Sequence, residues 1–305
     1  MYLEHFGLRE FPFSITPDTT FFFSSSGYQE ALNTLLIAAR TGEGFIKITG
    51  EVGTGKTLLC RKFMSTLGPE FKIAYLPNPN LESQALMLAL AEELGIDVDP
   101  AQGQHHLLKS LNQSLLEYAS EGKRVLVCLD EAQAMPLDTM EALRLLTNLE
   151  TEKNKLLQVV IFGQPELDEK LDHPAIRQLK QRITFDYRLD ALTQDELHFY
   201  LNHRLIVAGY QGGRMFSRGA LAEIRRRTRG VPRLVNILAH KALLAAYGKG
   251  RQMIARADVV AAARDTGATR VSSSRRFTLT VVLISIVLLV IALAAGVMMY
   301  YGKLP

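Results

Sequence analysis

Runs of consecutive apolar residues alternate with longer segments of helical periodicity over the first two-thirds of the chain. Four of these runs favour strands, and a fifth alternates apolar and polar positions as an edge strand does. The five predicted strands lie at 45–49, 72–76, 125–129, 156–162 and 183–189. Apolar strands that alternate with helices are typical of a parallel sheet covered by helices on both faces. The pattern therefore predicts an α/β core over 27–190 that begins with a helix at 28–40.

The pattern after this core is purely helical up to residue 266. Thr193, with Glu196 three residues later, predicts a capping box at the start of the first helix, and Ser217 can cap the second. The four predicted helices lie at 194–208, 217–227, 232–247 and 257–266. We expect this all-α piece, 191–266, to act as a lid on the core.

The first 26 residues are rich in tyrosine and phenylalanine. Because Pro12 and Pro17 interrupt them, they predict an aromatic clamp rather than a long helix, and we expect segment 1–26 to pack on the core. The N-terminus has neither a basic region nor an apolar stretch, so it does not resemble a signal peptide.

The stretch 279–301 contains no charged residue. As a helix it would be roughly 34 Å long, which is enough to cross a bilayer. A buried core helix is the alternative, but helices of globular proteins are rarely apolar on every face. The sequence therefore predicts a transmembrane helix at 277–301, joined to the lid by a polar linker at 267–276.

Basic residues are unevenly placed around this predicted span. Arg270, Arg275 and Arg276 precede it, whereas only Lys303 follows. The positive-inside rule therefore places residues 1–276 in the cytoplasm and predicts a single-pass protein with the lipid bilayer as one of its partners.

Composition adds few constraints. The chain has 305 residues, of which 48% are hydrophobic, and a net charge of +4 that does not by itself indicate a nucleic-acid partner. Both cysteines, Cys60 and Cys128, lie in apolar runs, which predicts two buried reduced thiols and excludes a disulfide framework. The seven histidines show no metal-ligand spacing.

A glycine-rich loop follows the first predicted strand and opens a helix, which is the context that a phosphate-binding loop requires. It consists of Gly50, Glu51, Val52, Gly53, Thr54, Gly55, Lys56 and Thr57, with Leu58 directly after it. The full motif G-x-x-x-x-G-K-[ST] argues against a chance match in a glycine-containing turn. Backbone N–H groups and the helix N-terminus are expected to bind the phosphates of ATP. Lys56 would contact the β- and γ-phosphates, and the Thr57 hydroxyl would bind Mg²⁺.

Two adjacent carboxylates, Asp130 and Glu131, end the third predicted strand. Ligands of open α/β sheets bind at the carboxyl ends of strands. Asp130 is therefore expected to hold the Mg²⁺ shell, and Glu131 to orient and deprotonate the attacking water. Alone, such a pair is as consistent with a solvated turn; the upstream loop favours the catalytic interpretation.

Other polar residues lie where ATP hydrolysis needs them. Gln164 ends the fourth predicted strand and can sense the γ-phosphate or the water. Arg182, or alternatively Arg177, precedes the fifth strand, from where it can reach a neighbouring subunit's nucleotide. Arg233 opens a lid helix and can fold back onto the phosphates. For each arginine, a surface ion pair is the alternative.

The order of these motifs along the chain resembles that of the AAA+ ATPases. The residues within the motifs resemble those of the ExeA/GspA-type secretion ATPases over about residues 1–265. The matching stretches are 2–8, 12–14, 16–18, 50–57, 130–133 and 163–167. The resemblance implies that Gln164 is the first sensor, Arg182 the arginine finger and Arg233 the second sensor.

The same resemblance implies a P-loop NTPase (AAA+) fold and a ring-like homo-oligomer such as a hexamer. It also implies a place in the bacterial inner membrane, where the protein serves a type II secretion or MSHA-like type IV pilus apparatus together with other envelope assembly proteins. Such ATPases carry a peptidoglycan-binding region after the membrane helix. Because the sequence stops at Pro305, no peptidoglycan-binding domain is expected.

Two other functions compete with an ATPase. One is a nucleotide-gated scaffold that oligomerises with little hydrolysis, although the presence of Glu131 favours the enzyme. The other is a DNA-binding regulator, suggested by a basic cluster consisting of Arg225, Arg226, Arg227 and Arg229. A solvated face near anionic lipid explains these arginines as well, so nucleic acid is not an expected partner.

Overall fold

The computed structural model describes residues 2–99, 103–150 and 155–267. Within them, five parallel strands form one sheet in the order β2-β3-β4-β1-β5. The strands are β1 (Phe45–Gly50), β2 (Phe71–Leu76), β3 (Arg124–Leu129), β4 (Leu157–Gly163) and β5 (Phe185–Leu189). The parallel sheet and the edge position of β5 confirm the prediction from the hydrophobic pattern.

Helices surround this sheet and continue beyond it. They are α1 (Tyr2–Phe6), α2 (Ser26–Thr41), α3 (Lys56–Thr66), α4 (Ser83–Leu94), α5 (Gln104–Ser120), α6 (Leu137–Leu146), α7 (Glu166–Leu171), α8 (Arg177–Lys180), α9 (Gln194–Val207), α10 (Arg218–Thr228), α11 (Pro232–Tyr247) and α12 (Arg256–Arg264). α2 and α3 pack on one face of the sheet, while α4, α5 and α6 pack on the other.

Successive side chains of the central strands pack on opposite faces of the sheet. In β3, Val127 and Leu129 belong to the cluster with α4, α5 and α6, whereas Leu126 and Cys128 belong to the cluster with α2 and α3. Because both faces are covered, most positions of the central strands are apolar, and the exceptions include the buried Lys47 of β1 and Gln158 of β4. The carboxyl ends of the strands are left for polar residues.

The described chain after β5 is helical, and α9 to α12 share a third apolar cluster. Thr193 and Glu196 form the expected capping box, and the Ser217 hydroxyl accepts a hydrogen bond from the Ala220 N–H at the start of α10. We call α9 to α12 the helical region.

The N-terminal aromatic segment takes a different place from the one predicted. Its buried side chains, among them Tyr2, Phe6, Phe13 and Phe21, join the apolar cluster of the helical region rather than the clusters of the sheet. The expectation that segment 1–26 packs on the core is therefore wrong for most of its aromatic residues. The physical reason is that α2 to α6 already cover the sheet, while the helical region leaves an apolar side to be filled.

The predicted linker and transmembrane helix lie outside the described residues, apart from Gly267 at the boundary. Among the residues that the structure describes, no helix is both long enough and apolar enough to cross a membrane.

The two cysteines are buried and free, as the sequence predicts. The Cys128 thiol next to Cys60, together with burial, holds the pKa of Cys60 well above its ordinary value. A thiol in that state is a poor nucleophile, so the pair is structural. Within the described ranges, no group of three His, Cys, Asp or Glu residues is arranged to hold a metal ion.

Candidate nucleotide site

The glycine-rich loop joins the end of β1 to the start of α3, at the carboxyl edge of the sheet. Two of its glycines adopt positive φ angles, 81° at Gly53 and 99° at Gly55. A Cβ atom at Gly53 would lie 2.6 Å from the Cβ of Arg233, and one at Gly55 would overlap the hydroxyl of Tyr28. Both positions therefore require glycine for conformation and for space.

Lys56 begins α3 and is only 5% exposed. Its Nζ donates hydrogen bonds to the carbonyl oxygens of Gly50 (2.7 Å) and Glu51 (3.1 Å). Burial lowers the pKa of Lys56, while the negative charges of Glu131 and Asp130 act in the opposite direction. The loop thus holds a desolvated cation beside the space that phosphates would occupy.

Asp130 and Thr57 meet at the carboxyl end of β3. The Thr57 hydroxyl donates to Asp130 Oδ2 at 2.5 Å, and Asp130 is 2% exposed. Burial raises the pKa of Asp130, although hydrogen bonds from Thr57 and from the Glu131 N–H oppose it. A hydroxyl beside a single carboxylate fits Mg²⁺, which is held by few protein oxygens and completes its shell with phosphate and water.

Glu131 has a left-handed backbone, with φ of 53°, and its carboxylate takes part in a closed set of hydrogen bonds. Glu131 Oε2 accepts from Gln133 Nε2 at 2.5 Å and from Gln164 Nε2 at 2.9 Å. The Gln164 N–H in turn donates to Gln133 Oε1 at 3.0 Å. Burial acts to raise the pKa of Glu131, but the two amide hydrogen bonds and the charge of Lys56 lower it overall. Glu131 is therefore an ionised carboxylate with a fixed orientation.

Gln133 is a site residue to which sequence reasoning assigned no role of its own. Lys170 of α7 fixes the turn that contains Gln133. Its Nζ donates to the carbonyls of Gln133 (2.7 Å) and Met135 (2.6 Å). In the sequence, the signal for this role of Gln133 is weak, namely an amide two residues after a predicted catalytic carboxylate. In the structure, Gln133 lies in a short 3-10 turn over Ala132–Ala134.

The helical region reaches the loop through Arg233 at the start of α11. Its backbone N–H donates to the Gly53 carbonyl at 3.1 Å. Together with residues of the N-terminal segment, the loop and the helical region enclose one pocket. Its lining includes Ile15, Asp18, Tyr28, Val52, Lys56, Thr57, Leu58, Glu131, Tyr200, Arg204, Arg233 and Asn236.

Arg204 holds the N-terminal wall of this pocket and was not predicted. It is 5% exposed, and its guanidinium donates to the carbonyls of Pro12 (2.5 Å) and Ser14 (3.2 Å). It also lies 4.6 Å from the centre of the Phe21 ring. In the sequence, an arginine in an amphipathic helix indicates only a solvent-facing position, so nothing local distinguished it. Tyr28 was missed as well; its hydroxyl donates to the Thr54 carbonyl.

Arg182 and Arg177 lie apart from the pocket. Arg182 precedes β5, whose first residue pairs with Ile46 near the start of β1, at the opposite end of the sheet from the loop. Arg182 Nη1 donates to Thr147 Oγ1 at 3.1 Å, at the end of α6. Arg177 is exposed and makes no side-chain hydrogen bond or ion pair within the described ranges. The structure therefore gathers Lys56, Thr57, Asp130, Glu131, Gln164 and Arg233 at one site, without either of these arginines.

Comparison with known proteins identifies the structural class of the chain. The model of a family described as an AAA domain matches residues 39–171. Cdc6p of Pyrobaculum aerophilum superposes with a TM-score of 0.62 at 21% identity, over 81% of this chain and 70% of that one. The RuvB branch migration motor of Thermotoga maritima superposes with a TM-score of 0.56 at 16% identity, over 90% and 81%. Such identities show the fold alone, and that fold is an AAA-type P-loop nucleotide-binding fold.

A closer relationship gives the family. General secretion pathway protein A of Aeromonas hydrophila is 41% identical over 270 residues, which are 88% of this chain and 49% of that protein. The chain belongs to the ExeA/GspA-type AAA ATPases. It spans about half the length of this relative.

Proposed function

We propose that the protein binds ATP with Mg²⁺ and hydrolyses it. The observation that carries this proposal is the arrangement of Glu131. Its ionised carboxylate is fixed by two amides at the mouth of the loop that holds Lys56, beside the contact of Thr57 with Asp130.

Each side chain has a distinct task in this proposal. Lys56 leaves the loop carbonyls and donates to the β- and γ-phosphates, while the loop N–H groups bind the remaining phosphate oxygens. Thr57 and Asp130 would hold Mg²⁺, which neutralises charge on the phosphates when bound. Glu131 accepts a proton from the attacking water, and the Gln164 amide contacts the γ-phosphate or that water. Arg233 donates to the phosphates from the helical region.

An arginine from a second copy of the chain completes the site. The cations among the described pocket residues are Lys56, Arg204 and Arg233, and the Arg204 guanidinium already donates to the carbonyls of Pro12 and Ser14. Arg182 is the predicted finger, but it would first have to release Thr147. Arg177 is exposed and needs no such release. An arginine supplied in trans adds about 10³ or more to turnover, so we propose that the active form is a ring-like homo-oligomer.

The family supports a proposal for the cellular role. Since the chain is related to general secretion pathway protein A, we propose that hydrolysis drives or regulates assembly of a type II secretion or MSHA-like type IV pilus apparatus with other envelope proteins. The apolar stretch 279–301 supports a single-pass anchor in the bacterial inner membrane, with the ATPase in the cytoplasm.

Glu131→Gln tests the catalytic proposal because it keeps the shape of the side chain and removes the base. We expect turnover to fall by about 10²- to 10⁴-fold while ATP affinity is retained. Phosphate release and calorimetric binding measure the two effects, with Glu169→Gln on α7 as the matched control. Wild-type turnover that is slow and unchanged by Glu131→Gln would instead identify a nucleotide-gated scaffold.

The contacts of the basic cluster on α10 do not favour DNA binding. Arg226 and Arg227 both donate to the buried carboxylate of Glu223, at 3.2 and 2.9 Å, and Arg256 adds a third contact at 3.3 Å. Arginines engaged in this way are less available for phosphate contacts. A filter-binding assay over a salt series checks this point, and we expect no steep salt slope.

A further inference from the structure

Large apolar side chains are exposed together on one side of the helical region. Leu244 and Tyr247 of α11 are 44% and 41% exposed, Phe11 is 51% exposed and Met253 is 50% exposed. We call these four residues the exit face. None of them belongs to the nucleotide pocket.

Ring contacts make the exit face continuous. His240, Leu244 and Tyr247 are spaced by four and three residues, so they lie on one side of α11. The Phe11 ring lies 6.3 Å from that of His240. At the other end, the His5 ring lies 5.2 Å from that of Tyr247, and its Nε2 is 3.0 Å from the carbonyl of Arg251, two residues before Met253.

The chain leaves the described structure at the border of this face. Lys241 Nζ donates to Asp265 Oδ2 at 2.6 Å and to the Asp265 carbonyl at 3.1 Å. Lys241 is about one helical turn from Leu244, and Asp265 is two residues before Gly267, where the description ends. The sequence that follows therefore starts beside the exit face.

That sequence restricts what can cover the face. Residues 268–276 contain three arginines and no acidic residue, and the uncharged stretch 279–301 begins shortly afterwards. The eleven residues 268–278 that join Gly267 to this stretch span at most about 40 Å. If 279–301 enters a bilayer, as proposed above, the surface of that bilayer lies within this reach of the exit face.

The exit face has basic residues at its end near Tyr247 and Met253, while Glu10 and Asp265 lie at its other borders. Lys249 and Arg251 both contact the buried carboxylate of Asp258, at 2.6 and 3.7 Å. One carboxylate cannot neutralise two cations, so a positive charge remains next to Tyr247 and Met253. Apolar and aromatic side chains with basic groups beside them suit the headgroup layer of an anionic membrane.

We propose that the exit face lies against the anionic surface of the bilayer that holds the apolar stretch. This inference rests on the membrane anchoring in the proposed function and adds an orientation to it. The helical region contacts lipid through Phe11, Leu244, Tyr247 and Met253, and the α/β core is held away from the membrane.

Depth-dependent quenching tests this orientation in the full chain. The native thiols Cys60 and Cys128 are both 0% exposed, so a Met253→Cys variant can be labelled selectively with an environment-sensitive fluorophore. The labelled protein is reconstituted into phosphatidylcholine vesicles with or without phosphatidylglycerol, and lipids spin-labelled near the headgroup are the quenchers. Ile37→Cys on α2, 56% exposed in the core, is the matched control.

We expect several-fold stronger quenching at position 253 than at position 37, and a decrease at 253 when phosphatidylglycerol is omitted. Equal quenching at the two positions would overturn the proposal, as would quenching at 253 that is indifferent to anionic lipid.

Two controls keep the outcome decisive. Labelled protein must bind nucleotide like the unlabelled chain; if Met253→Cys does not, the experiment is repeated with Leu244→Cys. Extraction with alkaline carbonate reports separately whether the chain is anchored. An anchored protein without quenching at 253 contradicts the orientation alone, whereas an extractable protein contradicts the anchor.

Discussion

The two walls of the nucleotide pocket are built in different ways. The wall from the sheet consists of two short segments, the loop at 50–58 and the end of β3, each of which is local in sequence. Its charged groups, such as Lys56 and Asp130, are buried with few partners of opposite charge. The wall from the helical region and the N-terminal segment draws on residues far apart in sequence. Its buried polar groups, Arg204 and Asn236, are hydrogen-bonded to protein: Asn236 accepts from the Tyr200 hydroxyl at 2.9 Å.

This difference separates two tasks. A desolvated charge without full compensation stabilises a ligand of opposite charge, so the sheet wall is suited to bind and transform phosphate. Satisfied polar groups stabilise the protein itself, so the other wall is suited to shape the pocket. Changes in the first wall should therefore affect chemistry more than folding, and changes in the second should affect folding first.

The strongest test of the sheet wall is Lys56→Ala. We expect ATP affinity to fall by about 100-fold or more, equivalent to about 2.8 kcal/mol, because the variant lacks the cation for the β- and γ-phosphates. Titration calorimetry measures the affinity, and urea unfolding without nucleotide should show a stability near that of the wild type. Wild-type affinity in this variant would contradict the assignment of the phosphate loop.

The strongest test of the other wall is Arg204→Ala. The change leaves the Pro12 carbonyl without its side-chain donor and the Ser14 carbonyl with only the long hydrogen bond from Asn236 Nδ2 at 3.4 Å. We therefore expect a loss of about 2–3 kcal/mol in the free energy of unfolding. Urea denaturation provides the measurement, and the exposed Arg214→Ala is the control. A variant as stable as the control, with ATP affinity reduced as in Lys56→Ala, would show that Arg204 acts on the ligand and not on the wall.

A pH series tests how a buried charge contributes to the stability of the helical region. The charge is that of Glu223, which is 3% exposed. Hydrogen bonds from Arg226 and Arg227, against the effect of burial, lower the pKa of Glu223 to about 2. A lowered pKa stabilises the folded state above the ordinary value of Glu and loses this effect as the pH falls towards 2.

Glu223→Gln should therefore unfold about 2 kcal/mol more easily than the wild type at pH 7, allowing for solvent around the arginines. The difference should shrink progressively below pH 4.5. Urea unfolding at several pH values measures it, with the exposed Glu10→Gln as the control. A difference independent of pH would mean that packing, and not charge, explains the loss.

The smallest effect is expected at Gln133. Gln133→Ala removes one of the two amides that fix Glu131, so we expect turnover to fall by about tenfold with little change in ATP affinity. The pKa of Glu131 should rise when this hydrogen bond is lost, because the bond favours the ionised form. The acidic limb of the pH–rate profile should then move to higher pH. Gln178→Ala, at an exposed position of α8, is the control, and an unshifted limb would argue that Gln133 only supports the turn.

Sequence by itself determined the sheet wall, for a local reason. The turn conformation of Gly53 and Gly55, the helix start at Lys56 and the carboxylates after an apolar strand all depend on residues a few positions apart. Such features are set by backbone sterics and strand burial, which neighbouring residues dictate. The predicted strands and helices, with ends that differ by one or two residues from the observed ones, share this origin.

Only the tertiary structure decided which distant segments meet the loop. The strand order, the aromatic segment on the helical region, Tyr28 under the loop and Arg204 on the carbonyls of Pro12 and Ser14 depend on contacts across up to 246 positions. The apolar surfaces of several helices could each have accepted the same aromatic side chains. Which surface remains uncovered is settled only when all elements pack at once, because close packing is a property of the whole interior and not of any one segment.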